Sequence, residues 1–136
     1  MLGKNGPETV LLVDNDPLIL NFIEDEISFY GYKPILVSSG EETLKMADNE
    51  KIDLLLIDIM ISGTNGIVLA KQFAVLLPGI KILFMSCYDW PSIAHHGIPE
   101  SEYAFIQKPF ATDALVQKMR YVLGVTDGLM PLASQG

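Results

Sequence analysis

The chain alternates between short apolar runs and longer segments in which apolar residues return every three or four positions. The runs Val10-Leu11-Leu12-Val13, Ile35-Leu36-Val37, Leu54-Leu55-Leu56-Ile57, Ile80-Lys81-Ile82-Leu83-Phe84-Met85 and Tyr103-Ala104-Phe105-Ile106 are nearly continuous. Runs of this length without polar alternation predict strands buried on both faces, the environment of a parallel sheet. Between the first two, Ile19, Phe22, Ile23, Ile27 and Tyr30 fall at helical spacing and predict a helix with one apolar stripe. Pro17 suits its first turn, Asp14 to Asp16 offer capping oxygens, and Gly31 ends it. Gly40-Glu41-Glu42 opens a second helix running to about Asn49, and Leu69 to Leu77 lies in a third that stops before Pro78-Gly79. A short fourth helix follows Pro91, and Ala111 to Leu123 makes a fifth with Leu115, Met119 and Val122 inward.

Strand and helix thus alternate five times, which predicts an α/β fold: a doubly wound, five-stranded parallel sheet with helices on both faces. Right-handed crossovers restrict the topology further. Residues 8–123 form the expected domain, with flexible ends at 1–7 and 124–136, although Leu129, Met130 and Leu132 are apolar enough to dock.

At 136 residues and 49% hydrophobic content the chain can bury one substantial core without disulfide or metal staples. Its single cysteine, Cys87, forms no internal disulfide, which suits a reducing compartment; cytoplasm is the expectation, with Cys87 a small buried residue. No apolar stretch approaches the roughly 18 residues of a membrane span, and no signal-type segment opens the chain, so no membrane contact is expected. A net charge of −8 argues against a nucleic-acid surface, which needs clustered Lys and Arg. A protein, or a small anion held by a metal, is left as the partner.

In an open α/β sheet the carboxyl ends of the strands share one edge, where residues distant in sequence converge. Asp14-Asn15-Asp16, Asp58, Ser86 and Lys108-Pro109-Phe110 all end apolar runs, so that edge holds carboxylates, a hydroxyl and an ammonium. His95 and His96 are adjacent, point in different directions on a helix and find no further ligand to complete a metal set. Trp90, after Tyr88, falls near the same edge.

These residues carry a resemblance. Val-Asp-Asn-Asp-Pro at 13–17, Leu-Ile-Asp-Ile-Met at 56–60, Phe-Met-Ser at 84–86 and Phe-Ile-Gln-Lys-Pro-Phe at 105–110 resemble, in order, the acidic loop, phosphoacceptor, hydroxyl and lysine motifs of response-regulator receiver domains of two-component systems. The likeness covers about residues 8 to 123. It implies the flavodoxin-like (βα)5 three-layer sandwich with strand order 2-1-3-4-5, and a phosphoryl group passing from a phosphohistidine of a histidine kinase or histidine phosphotransfer protein to Asp58. It also implies Mg²⁺ held by Asp14, Asn15, Asp58 and the Met60 backbone carbonyl, with Lys108 and Ser86 on the phosphoryl oxygens. Ser86 and Phe105 would then form the switch that remodels the face of the fourth helix, fifth strand and fifth helix, the face through which a homodimer would form if there is one.

The chain departs from the family pattern in places. Asn15 stands where a second acid is usual, and losing that charge beside Mg²⁺ costs on the order of 1 to a few kcal/mol. Ser62 replaces a proline, Asn65-Gly66 an acid-glycine pair, and Phe105 lacks a tyrosine's phenol oxygen. Met60 and Tyr88 sit where the family tunes dephosphorylation, and their bulk implies a phosphorylated state of at least moderate lifetime. The wording around Ser86 and Lys108 looks most like receivers attached to hybrid sensor histidine kinases; if free-standing, the domain would be a phosphorelay shuttle. On this reading the protein is no enzyme beyond assisting its own phosphorylation and dephosphorylation. Two other readings stay open: a degenerate receiver that binds partners without phosphorylation, for which Asn15 speaks, and a haloacid-dehalogenase-type phosphatase, whose nucleophile motif Leu-Leu-Val-Asp-Asn-Asp resembles.

Overall fold

The computed structural model describes residues 8–49, 51–61, 64–87 and 104–124. In chain order the elements are β1 (Thr9–Val13), α1 (Pro17–Phe29), β2 (Lys33–Val37), α2 (Gly40–Asn49), β3 (Leu54–Asp58), β4 (Met60–Ile61), β5 (Thr64–Asn65), α3 (Gly66–Leu76), β6 (Lys81–Ser86), β7 (Ala104–Gln107) and α4 (Thr112–Leu123). Five strands pair in parallel in the order β2-β1-β3-β6-β7. Counting these alone, the order is 2-1-3-4-5, the doubly wound topology that the resemblance implied. The fifth helix of the sequence expectation is α4. The expected helix after Pro91, Ser62, Tyr88, Trp90, both histidines, Tyr103 and the chain ends at 1–7 and 125–136 lie outside the described residues.

The layers follow from what each strand buries. β3 is buried along its whole length, and residues 10–13 of β1 are fully so. Their alternate side chains serve two cores. Leu11, Val13, Leu55 and Ile57 pack with Ile67, Leu69, Ala70 and Phe73 under α2 and α3. Val10, Leu12, Leu54 and Leu56 pack with Leu20, Ile23, Ile27, Leu115, Val116 and Met119 under α1 and α4. Burial on both faces is why these strands read as unbroken apolar runs.

Some local expectations change. The buried stripe of α1 is Leu20, Ile23 and Ile27, whereas Phe22 and Tyr30 are about half exposed, at 47% and 48%. Both flanks of that helix are apolar, so spacing alone does not fix which one turns inward. Helix α3 begins at Gly66, three residues ahead of the Leu69–Leu77 stretch expected to lie in it, where Asn65 caps it: the Asn65 Oδ1 accepts from the amides of Ile67 (2.7 Å) and Val68 (3.3 Å). The small antiparallel hairpin β4-β5, pairing Met60 with Asn65 and Ile61 with Thr64, was not anticipated. Cys87 is exposed, not buried, since it lies just past the end of β6 where the chain leaves the sheet.

Candidate functional site

Parallel pairing brings the carboxyl ends of β1, β3 and β6 side by side, with Val13 opposite Ile57 and Asp58 opposite Met85. The next residues out are therefore held at one edge. Asp14 follows β1, Asp58 ends β3, Ser86 ends β6, and Lys108 follows β7. The Lys108 amide donates to the Ser86 carbonyl at 2.8 Å, extending the β6-β7 pairing and fixing where the lysine stem starts. The Lys108–Pro109 peptide is cis.

From that point the Lys108 ammonium reaches both acids. Its Nζ donates to Asp14 Oδ2 at 2.8 Å and to Asp58 Oδ2 at 2.6 Å. The second oxygen of each acid is tied to its own loop. Asp14 Oδ1 accepts from the Asp16 amide at 2.9 Å, and Asp58 Oδ1 from the Met60 amide at 2.8 Å. Asp16 itself caps α1, its Oδ1 accepting from the Leu18 amide at 3.0 Å, with Pro17 in the first turn. The acidic loop is thus divided: Asp14 faces the site, Asp16 serves the helix, and Asn15 is exposed between them.

Asp14 is 1% exposed, Asp58 7% and Ser86 0%. Two carboxylates and one ammonium give the cluster one net negative charge when all three are ionised. Burial raises the Asp58 carboxyl above the usual range, with the Asp14 charge adding to it, and this outweighs the lowering by Lys108 and the Met60 amide. For Lys108 burial acts downward, but the hydrogen bonds and charges of both acids win and hold the ammonium above its ordinary value.

The edge thus gathers Asp14, Asp58, Ser86 and Lys108, the residues that the motifs had singled out. Met60 sits in β4 with its side chain 52% exposed beside the site, and Phe105 pairs with Phe84 across β6-β7, partly buried against the α2-α3 core. Gly66 is a residue that the motif reading treated only as turn chemistry. A Cβ there would collide with the Asp58 carbonyl oxygen and come within 2.9 Å of the Ile59 Cα, so only glycine lets α3 start against the end of β3. The sole sequence signal for it was Asn65-Gly66 ahead of an apolar helix.

The donor set suits a hard divalent cation. Among the described residues no group of three or more His, Cys, Asp or Glu side chains gathers. Mg²⁺ does not require one: it keeps several waters and is commonly bound by one or two carboxylates together with substrate phosphate. Asp14 and Asp58, near enough to share one ammonium, meet that need.

Comparison with known proteins identifies the family. The profile of the response regulator receiver domain matches residues 10–120. Among curated proteins, the chain is 28% identical over 114 residues to the transcriptional regulatory protein GlrR of Escherichia coli (strain K12), covering 84% of this chain and 26% of that one. It is 27% identical over 117 residues to the response regulator MprA of Mycobacterium sp. (strain KMS), covering 86% of this chain and 51% of that one. The chain therefore spans about a quarter to half the length of these relatives. A CheY-like response regulator receiver domain protein from Methanospirillum hungatei JF-1 superposes with a TM-score of 0.78 at 26% identity, covering 87% of this chain and 94% of that one.

Proposed function

From the premise that the chain belongs to the response regulator receiver domain family, we propose that Asp58 accepts a phosphoryl group from a phosphohistidine on a histidine kinase or histidine phosphotransfer protein. The observation that carries this reading is the Lys108 ammonium held between Asp14 and Asp58. Catalysis of phosphoryl transfer consists mainly of positioning a nucleophile and placing counter-charge beside it.

In this reading an Asp58 carboxylate oxygen forms the new bond to phosphorus while the phosphorus–nitrogen bond to the donor imidazole breaks. Met60 N–H holds one Asp58 oxygen and so orients the carboxylate before attack. Lys108 transfers its hydrogen bond from Asp58 to a phosphoryl oxygen, and the Ser86 hydroxyl turns to another. Asp14, Asp58, the Asn15 amide oxygen and the Met60 carbonyl would hold Mg²⁺, which when bound would supply charge neutralisation for attack by one anion on another. Movement of Ser86 leaves room for Phe105 to turn inward, by packing alone since no phenol oxygen is present, and this would pass the state of the site to the surface near β7 and α4.

The test is intact mass after incubation with a small-molecule phosphodonor across a Mg²⁺ series, beside Asp58→Asn. One phosphoryl adduct that needs Mg²⁺ and is lost in the variant supports the proposal. Absence of adduct from folded protein at high Mg²⁺ refutes it and leaves a module that binds partners without phosphorylation.

A further inference from the structure

We infer that Gly66 is a positioning residue for the phosphoacceptor, acting by the absence of a side chain. Its importance for transfer rests on the function proposed for Asp58; its effect on the geometry of the loop does not.

Gly66 is the first residue of α3 and is buried. Its backbone φ is not positive, so no demand for left-handed backbone explains a glycine here. Alanine is the better helix former, and on local grounds it should be preferred. The reason against it is tertiary. An added Cβ would overlap the carbonyl oxygen of Asp58, lie 2.9 Å from the Ile59 Cα and 3.0 Å from the Asp58 carbonyl carbon. All three are backbone atoms, which cannot swing aside as the end of a flexible side chain can.

The contact is also bonded. The Gly66 amide donates to the Ile59 carbonyl at 2.7 Å, and the Ile59 amide donates to the Met85 carbonyl at 3.0 Å. Met60, which follows, donates to Asp58 Oδ1 and pairs across the hairpin with Asn65, the α3 cap. Strand β3, the hairpin and the first turn of α3 thus form one closed brace around the Asp58 backbone. Ile67, Leu69 and Ala70 anchor the far side of that brace in the core. A methyl group at 66 must push the brace open, and what it displaces is the backbone that aims Asp58 at Lys108 and sets the Met60 carbonyl.

The test compares Gly66→Ala with Phe73→Leu, a core variant about two turns further along the same helix whose side chain takes no part in the hydrogen bonds of the brace. In Gly66→Ala, at temperatures well below melting, amide hydrogen exchange at Met60 rises at least tenfold, and the Mg²⁺ midpoint and rate of adduct formation each worsen at least tenfold. Phe73→Leu, though less stable than the parent, keeps all three within twofold. Parent-like values in Gly66→Ala, or equal losses in Phe73→Leu, overturn the inference. If the parent forms no adduct, the proposed phosphoacceptor role fails, while the exchange at Met60 still decides the brace. Should Gly66→Ala not fold, the parent alone is decisive: the Met60 and Gly66 amides share one opening free energy and one denaturant dependence if the brace is a unit, and differing values refute it.

Discussion

Replacing Lys108 with Met keeps most of the apolar stem and removes the ammonium from between two acids. The side chains of Lys108, Asp14 and Asp58 are 12%, 1% and 10% exposed, so water does little to replace the lost charge. Removing one partner of a buried pair costs about 3–5 kcal/mol. The variant has one escape, which is to protonate Asp58. That costs about 1.4 kcal/mol per pH unit above the ordinary carboxyl value of 3.8, which caps the loss near 4 kcal/mol at pH 7 and near 1.6 kcal/mol at pH 5. We therefore expect a loss of about 3 kcal/mol at pH 7 that shrinks below about 2 kcal/mol at pH 5.

The sign follows from the direction of the shift. Burial already holds Asp58 above 3.8 with Lys108 present, and losing the ammonium removes two influences that lower it. An acid whose folded-state value is raised contributes stability below its unfolded value and loses it as the pH rises through the folded value. Acidification from pH 7 to 5 therefore helps the variant relative to the parent. Urea denaturation followed by circular dichroism at pH 5, 6 and 7 reads the effect, as a midpoint about 1–2 M lower at pH 7. A loss below about 1 kcal/mol at pH 7, or one that grows on acidification, refutes the electrostatic account.

Asp58→Asn removes the carboxylate whose burial outweighs its hydrogen bonds, so its urea midpoint at pH 7 is expected to equal or exceed the parent's while labelling by a phosphodonor is abolished. Asn15→Asp restores a charge beside the cation; for a doubly charged ion about 4 Å away in water the gain is about 2 kcal/mol, or roughly thirtyfold in Mg²⁺ affinity by calorimetry. In the parent, the raised Lys108 value means that its stabilising contribution is complete below pH 10.5 and is lost as the pH rises through the higher folded-state value; alkaline urea midpoints should fall further in the parent than in Lys108→Met, since the burial-raised Tyr32 is common to both.

The sheet was readable because its strands are buried on both sides and so leave unbroken apolar runs, and the site was readable because each motif ends such a run. What the sequence concealed depends on contacts between distant segments. The inner face of α1 is legible at Ile23 and Ile27 but not at Phe22 and Tyr30, because the helix also carries apolar residues outside that stripe, Leu18 and Phe29, that stay exposed at 76% and 85%. The hairpin β4-β5 has two residues per strand, too few to show a period. The reason for Gly66 is a backbone atom eight residues away, which no local propensity reports. Lys108 was placed at the edge by its motif, but that one ammonium serves both Asp14 and Asp58 is a matter of distances.

Those distances give the departure at Asn15 a specific meaning. In the cluster as it stands, two buried carboxylates face one ammonium, and Asn15 is exposed outside them. An acid at 15 would be hydrated, and its repulsion on the buried pair would be screened by water to about 1 kcal/mol or less. The stability of the protein without metal is therefore almost indifferent to this position. Direct ligation is different, because there the charge meets the cation without intervening water. Exchange of Asp for Asn at 15 hence acts on cation affinity with little effect on folding, and the opposite holds for Lys108, whose removal exposes both acids to each other while leaving them free for a cation. A Mg²⁺ series on the two variants separates these effects: added Mg²⁺ should raise the urea midpoint of Lys108→Met by more than it raises the parent's, and Asn15→Asp should show its gain only when Mg²⁺ is present.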